Sequence, residues 1–218
     1  MNGASHDSFG GYRSRLVDIL RDKGIRDLAV LKAVAEVPRH LFVPEALRRQ
    51  AYEDTSLPIG NGQTISQPFT QARSLEALRL TGHEKVLEVG LGSGYQTALL
   101  SRLVAQVFAV ERIPALAERA RAALAEAGVS NVSIMVGDGT LGWRAFGPYD
   151  AVIVAAASPE VPGPLLEQLA PGGRLLVPLG TKDAQELTLV AQSGSGPVLT
   201  ALSDARFVPL LGRHGFDA

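Results

Sequence analysis

A chain of 218 residues that is 46% hydrophobic has the apolar content for one compact domain with a sizeable core. Its 21 Lys and Arg against 22 Asp and Glu exclude the basic footprint of a nucleic-acid surface and leave no charge bias toward membrane lipids. With no cysteine, disulfides, thiolate catalysis and Cys-ligated zinc are excluded too.

Met1 to Gly11 is polar and lacks the apolar centre of a signal peptide. The longest apolar run, Ala151 to Ala157, is too short to cross a bilayer, so a cytoplasmic protein is expected. Tyr12 to Lys23 and Asp27 to Val37 show amphipathic helical spacing. Residues 38–67 are broken by Pro and Gly with little periodicity, and so long a segment in a compact domain is usually a functional loop. Pro68 to Leu80 is predicted helical, with Pro68 suited to the first turn. From Lys85 the elements alternate: strands at 85–89, 107–111 and 132–136, with helices at 95–104 and 114–127 between them. Asp150 to Ala155 is a fourth strand, Pro164 to Leu169 a helix and Gly173 to Pro178 a fifth strand. Leu187 to Ala191 and Val198 to Val208 follow as strands without an intervening helix. Such alternation predicts an α/β fold, a doubly wound and mostly parallel Rossmann-like sheet; the final hairpin adds an antiparallel strand. No repeat or second domain is visible, so residues 1–218 are expected to form one domain with N-terminal helical and loop additions over 12–80 and the α/β core over 81–218.

The first strand runs into Glu88-Val-Gly-Leu-Gly-Ser-Gly94. Gly90, Gly92 and Gly94 let the backbone bend sharply and approach a ligand, and the helix that follows offers free N–H groups at its start. The dinucleotide fingerprint needs its third glycine three places after the second; here it comes two places after. Glu88 would repel a pyrophosphate but suits a cationic ligand. S-adenosylmethionine carries a sulfonium and an ammonium and no phosphate, and Glu-x-Gly-x-Gly-x-Gly resembles the first motif of the class I methyltransferases that use it. Glu111 ends the second strand 21 residues after Gly90, where an acid accepts bonds from ribose hydroxyls. Asp138, between Gly137 and Gly139 at the end of the third strand, is placed to hold the adenine amine, although Gly-Asp-Gly by itself is also an ordinary turn.

Leu57-Pro-Ile-Gly-Asn-Gly-Gln-Thr-Ile-Ser-Gln-Pro68, with Val37-Pro-Arg-His-Leu-Phe-Val-Pro44 and Ala51-Tyr-Glu-Asp54, resembles the protein-L-isoaspartate (D-aspartate) O-methyltransferase family. Gly142-Trp143, Pro148-Tyr-Asp-Ala151, Gln168-Leu-Ala-Pro-Gly-Gly-Arg174 and Arg206-Phe-Val-Pro-Leu210 extend the resemblance over most of the chain. It implies S-adenosylmethionine as cofactor and isoaspartyl-containing proteins and peptides as substrates. Their free α-carboxylate is methylated, and the ester then closes to a succinimide. By resemblance Ser66 is the catalytic-loop residue that also touches the substrate carboxylate. Gln63, Thr64 and Ile65 lie along the cofactor, with Glu88, Gly90, Gly92, Gly94, Glu111, Asp138 and Gly139. Phe207, Val208, Pro209 and Leu210 hold the peptide backbone. No metal is implied, nor is a nucleic-acid or membrane partner; a monomer is expected. From sequence mechanics alone Ser66 reads better as the cap of the helix begun at Pro68, and His40 and Asp54 read as supports of the loop. The chain departs from the family at Leu91, where Thr is usual, and at Thr70 and Gln71, within a stretch usually apolar. A class I methyltransferase for small molecules and a non-catalytic nucleotide-cofactor-binding protein are the competing readings.

Overall fold

The computed structural model describes residues 9–194 and 196–217, so most of the polar start, residues 1–8, lies outside the described residues. Helix α1 (Gly10–Asp22) and helix α2 (Leu28–Glu36) pack through Leu16, Leu20, Val30, Leu31 and Val34, all buried. Asp27 starts α2 by accepting from the N–H groups of Ala29 and Val30 at 2.8 and 3.2 Å, the expected work of an N-cap carboxylate.

Residues 38–67, expected to be irregular, hold two 3₁₀ turns, 39–42 and 45–50, and a hairpin of β1 (Leu57–Gly60) and β2 (Gln63–Ile65). Its two-residue turn is Asn61-Gly62, with φ of 53° and 69°; positive φ at both positions is what a tight hairpin turn of matching twist requires. Helix α3 (Pro68–Ala77) ends three residues before the predicted Leu80, just ahead of Arg79, which adopts φ 48°. Gln67 at its N-cap makes no side-chain cap bond. Asp54 does that work from a distance: its Oδ1 accepts from the Phe69 N–H at 2.8 Å, and its Oδ2 from Lys23 Nζ at 2.6 Å and Gln67 Nε2 at 3.1 Å.

The core is a seven-stranded sheet of β3 (Lys85–Val89), β4 (Gln106–Glu111), β5 (Val132–Val136), β6 (Tyr149–Val154), β7 (Leu169–Gly180), β8 (Gln185–Ser193) and β9 (Gly196–Ala205) in the order β5-β4-β3-β6-β7-β8-β9. The first five pair in parallel, while β8 runs antiparallel to both neighbours. Helices α4 (Tyr95–Ser101), α5 (Pro114–Glu126) and the short α6 (Gly163–Leu166) supply crossovers. Successive residues of a strand face opposite ways. Val86, Val107, Ala109 and Ile153 therefore join the core that includes α1 to α5, while Leu87, Phe108, Val110 and Val154 join a second core with Leu165 and Leu210. Strand β7 is longer than its predicted 173–178 and takes in Leu169, which was expected to end a helix. Strand β9 stops at Ala205, so the predicted strand to Val208 breaks; the chain then re-enters at Pro209, which bridges Ala157.

Strand order reverses between β3 and β6, and in such sheets the ligand crevice opens at the carboxyl ends of the strands beside that point. Asp54 ties the segment before the crevice to the start of α3. Asp54→Ala should therefore cost roughly 1–2 kcal/mol of stability, as loss of a helix cap does. Urea unfolding curves that coincide with those of the parent would contradict this.

Candidate active site

A cleft lies where the topology places it. Twelve of the expected residues line it: Gln63, Thr64, Ile65, Ser66, Glu88, Gly90, Gly92, Glu111, Gly139, Val208, Pro209 and Leu210. A more open groove adjoins it, lined by Ser56, Gln67, Thr70, Arg206 and Phe207 among others. Thr64, Ser66, Ala155 and Val208 line both, so they form the passage from one to the other.

The turn after β3 forms the cleft floor. Gly90, Gly92 and Gly94 hold φ of 89°, 55° and 86°, a region that strains residues with a side chain. The turn is bonded to the tip of β4: Gly90 N–H donates to the Val110 carbonyl at 2.9 Å, and Gly92 N–H to Glu111 Oε2 at 2.9 Å. Glu111 Oε1 accepts from the Ile113 N–H at 2.9 Å. Each oxygen of this nearly buried carboxylate keeps a lone pair for a ligand. Leu91, the departure from Thr, is buried in the core and leaves the turn's backbone contacts in place.

Gly94 does not line the cleft. It starts α4, and a Cβ there would sit 3.1 Å from the Ala120 Cβ, so its lack of a side chain serves close packing of α4 on α5. Gly139 does line the cleft, while its Cα faces Val89 too closely for any side chain. Asp138 is not among the residues that line the cleft, although its neighbour Gly139 is. Its carboxylate accepts from Thr140 N–H and Oγ1 at 2.9 and 2.7 Å and from Arg213 N–H at 2.8 Å. Burial pushes this carboxyl up, but those donors outweigh it and hold it below the ordinary range. Phe207 belongs to the outer groove, with its N–H on Gln185 Oε1 at 2.9 Å. Val208 and Leu210 are bonded along one side to Ala157: Ala157 N–H donates to Val208 at 2.8 Å, and Leu210 N–H to Ala157 at 2.7 Å.

Ser66 is half-buried, and with Asp54 on the Phe69 N–H it is not the cap of α3. His40 and Asp54 are structural, as expected. His40 Nδ1 is 2.7 Å from the Tyr52 hydroxyl, and its ring stacks on Phe9 with centroids 4.1 Å apart. Sequence reasoning missed the residues that hold the site from behind. Gln96 Nε2 and Thr97 Oγ1 donate to Glu88 at 3.0 and 2.5 Å, and Arg119 Nη2 ties the Ile59 carbonyl of the hairpin to α5 at 2.6 Å. Gln71, seen only as a departure, lines the cleft.

Glu88 is fully buried, and burial pushes its carboxyl up to about 8 despite the bonds from Thr97 and Gln96; the charge of Glu111 adds to the rise. The folded protein alone therefore holds this proton up to about pH 8, whereas the unfolded chain releases it near the ordinary 4.5. The native state binds the extra proton between those values, so stability falls as pH rises through that window. Glu88→Gln removes the titrating group and should flatten this part of the stability–pH profile. Parent and variant profiles that run parallel from about pH 4.5 to about pH 8 would refute the buried-acid assignment.

Residues 12–215 match the family described as Protein-L-isoaspartate(D-aspartate) O-methyltransferase (PCMT). The chain is 50% identical over 211 residues to Protein-L-isoaspartate O-methyltransferase 1 of Syntrophobacter fumaroxidans, covering 96% of this chain and 99% of that one. It is 52% identical over 200 residues to Protein-L-isoaspartate O-methyltransferase of Pseudomonas paraeruginosa, covering 91% and 95%. A solved structure of a beta-aspartate methyltransferase from Plasmodium falciparum, in complex with S-adenosyl-L-homocysteine, superposes with a TM-score of 0.81 at 26% identity over 92% of this chain and 98% of that one. A class I methyltransferase sheet, a glycine turn closed by an acid at the next strand and a match over nearly the whole chain have one reading: this protein belongs to the protein-L-isoaspartate (D-aspartate) O-methyltransferase family.

Proposed function

We propose a division of labour among the cleft residues for the reaction that this chain, as a family member, catalyses. That reaction moves a methyl group from S-adenosylmethionine to the free α-carboxylate of L-isoaspartyl residues in damaged proteins and peptides. The observation that carries the assignment is the shared wall: Thr64 and Ser66 border both the enclosed cleft and the open groove. A cofactor in the cleft and a peptide in the groove would meet at these residues.

The cleft fits the cofactor on its own chemistry. The backbone of Gly90 and Gly92 comes to its surface without side chains, and Glu111 has lone pairs for ribose hydroxyls. Glu88 lines the wall as a buried acid that an adjacent sulfonium or ammonium would help to ionise. Gln63, Thr64 and Ile65 close the cleft from the hairpin side. When bound, S-adenosylmethionine supplies an electrophilic methyl group whose bond to sulfur breaks as the carboxylate oxygen attacks.

A carboxylate is already ionised at neutral pH, so no general base has to be built. The protein's work is to align the oxygen with the methyl group and strip water from it. Ser66 donates its hydroxyl to the carboxylate. The 207–210 segment, held to Ala157 along one side, offers backbone groups to the peptide along the other, which binds main chain rather than particular side chains. We place the enzyme in the cytoplasm as a monomer, acting on protein rather than nucleic acid. Its net charge of −1 supports a protein rather than a nucleic-acid substrate, and among the described residues no helix is long and apolar enough to cross a membrane.

Because Asp54 rather than Ser66 caps α3, Ser66→Ala should leave the melting temperature close to that of the parent and slow single-turnover methyl transfer to an isoaspartyl peptide. A lower melting temperature with an unchanged single-turnover rate would return Ser66 to a structural role. Glu111→Ala removes bonds worth roughly 1.5–3 kcal/mol each at a charged acceptor, so S-adenosylhomocysteine should bind at least about tenfold more weakly. Calorimetry that finds the same dissociation constant in the folded variant would reject the ribose assignment.

A further inference from the structure

Arg39 is fully buried, and among the described residues no carboxylate forms an ion pair with it. Its guanidinium meets three neutral partners: Nη1 donates to Gln71 Oε1 at 2.8 Å, Nη2 donates to the Ser66 carbonyl at 2.8 Å, and the group lies 4.6 Å from the centroid of the Tyr95 ring. Asp54 acts on it electrostatically, but that carboxylate is committed to Lys23, Gln67 and the Phe69 N–H. Burial lowers the guanidinium to about 10, which still leaves a full positive charge at neutral pH. A buried charge with hydrogen-bond partners but no counter-ion in contact is costly, so a nearby anion would stabilise it.

Gln71 is nearly buried and lines the cleft beside Ser66. Arginine has only donors, so the amide oxygen of Gln71 must face Arg39 and its Nε2 hydrogens must point elsewhere. The cleft is where they are free to go. We propose that Gln71 Nε2 and the Ser66 hydroxyl form a carboxylate-binding position, with Arg39 behind them orienting the Gln71 amide, holding the Ser66 backbone carbonyl and supplying the balancing charge. This rests on the placement of the reaction at Ser66. Two carboxylates can reach it: the α-carboxylate of the isoaspartyl acceptor and that of the cofactor's methionine part.

Gln71→Met removes the donors and keeps the bulk. Gln71→Glu removes them and sets a carboxylate against Arg39, which satisfies the buried cation while repelling a bound anion. Both variants are compared with the parent in thermal melting and in KM for an isoaspartyl peptide. Calorimetry adds the dissociation constants of S-adenosylhomocysteine and of its decarboxylated analogue. Gln71→Met should weaken the carboxylate ligand about tenfold, the loss of one hydrogen bond to a charged group. Gln71→Glu should weaken it further while melting no lower than the parent. A raised KM with both dissociation constants unchanged assigns the position to the acceptor. Weaker S-adenosylhomocysteine with an unchanged analogue assigns it to the cofactor. Parent-like KM and dissociation constants in Gln71→Glu overturn the proposal. A parent enzyme that fails to methylate the peptide would count against the placement at Ser66, while the two dissociation constants would still test the carboxylate position.

Discussion

The turn between β3 and α4 must carry three residues at positive φ, and Glu111 must reach across from β4 to bond its central N–H. Only glycine adopts such a run without strain. The rest of the site takes its place from this turn. Ile59 of the hairpin sits against Gly92, so the hairpin that bears Thr64 and Ile65 closes over the same spot. Gly94 lets α4 begin close against α5, and α4 then presents Gln96 and Thr97 to Glu88. A side chain at any one of the three glycines would strain the backbone of the turn, and at Gly94 it would also crowd Ala120.

The charges behind the cleft follow the chemistry. The reaction joins a cationic donor to an anionic acceptor and leaves two neutral products, an ester and a thioether. Glu88, buried and protonated up to about pH 8, lies on the β3 side, and the buried cation Arg39 lies on the α3 side, each bonded mainly to neutral dipoles. A buried ion that finds its counter-ion only in a ligand is stabilised when that ligand binds.

The parallel sheet was legible because its central strands are buried on both faces and read as unbroken apolar runs, such as Val107 to Val110. The glycine turn and Glu111 were legible because their spacing is short and their chemistry local. The hairpin at 57–65 was passed over, although Asn61-Gly62 between apolar residues is a direct hairpin signal; the prolines and glycines around it hid the alternation. The cap from Asp54 could not be read, since it acts on Phe69 from 15 residues away, and Ser66 occupied the position a local cap would take. Asp138 was read from its strand-end position, whereas the bond its carboxylate accepts from the Arg213 N–H depends on the path of residues 210–214, which no local pattern encodes. Arg39 and Gln71 meet across 32 residues, and neither carries a motif for the other.

Recognition in this cleft of a carboxylate exposed by the isoaspartyl linkage, followed by its methylation, can be read on a pair of peptides. Labelled methyl transfer from S-adenosylmethionine, measured side by side on an isoaspartyl peptide and on its normal aspartyl twin of the same sequence, tests it most directly. Base-labile methyl ester is expected on the isoaspartyl peptide and none above background on the twin. Equal labelling of both peptides, or none of either by the folded enzyme, would contradict it.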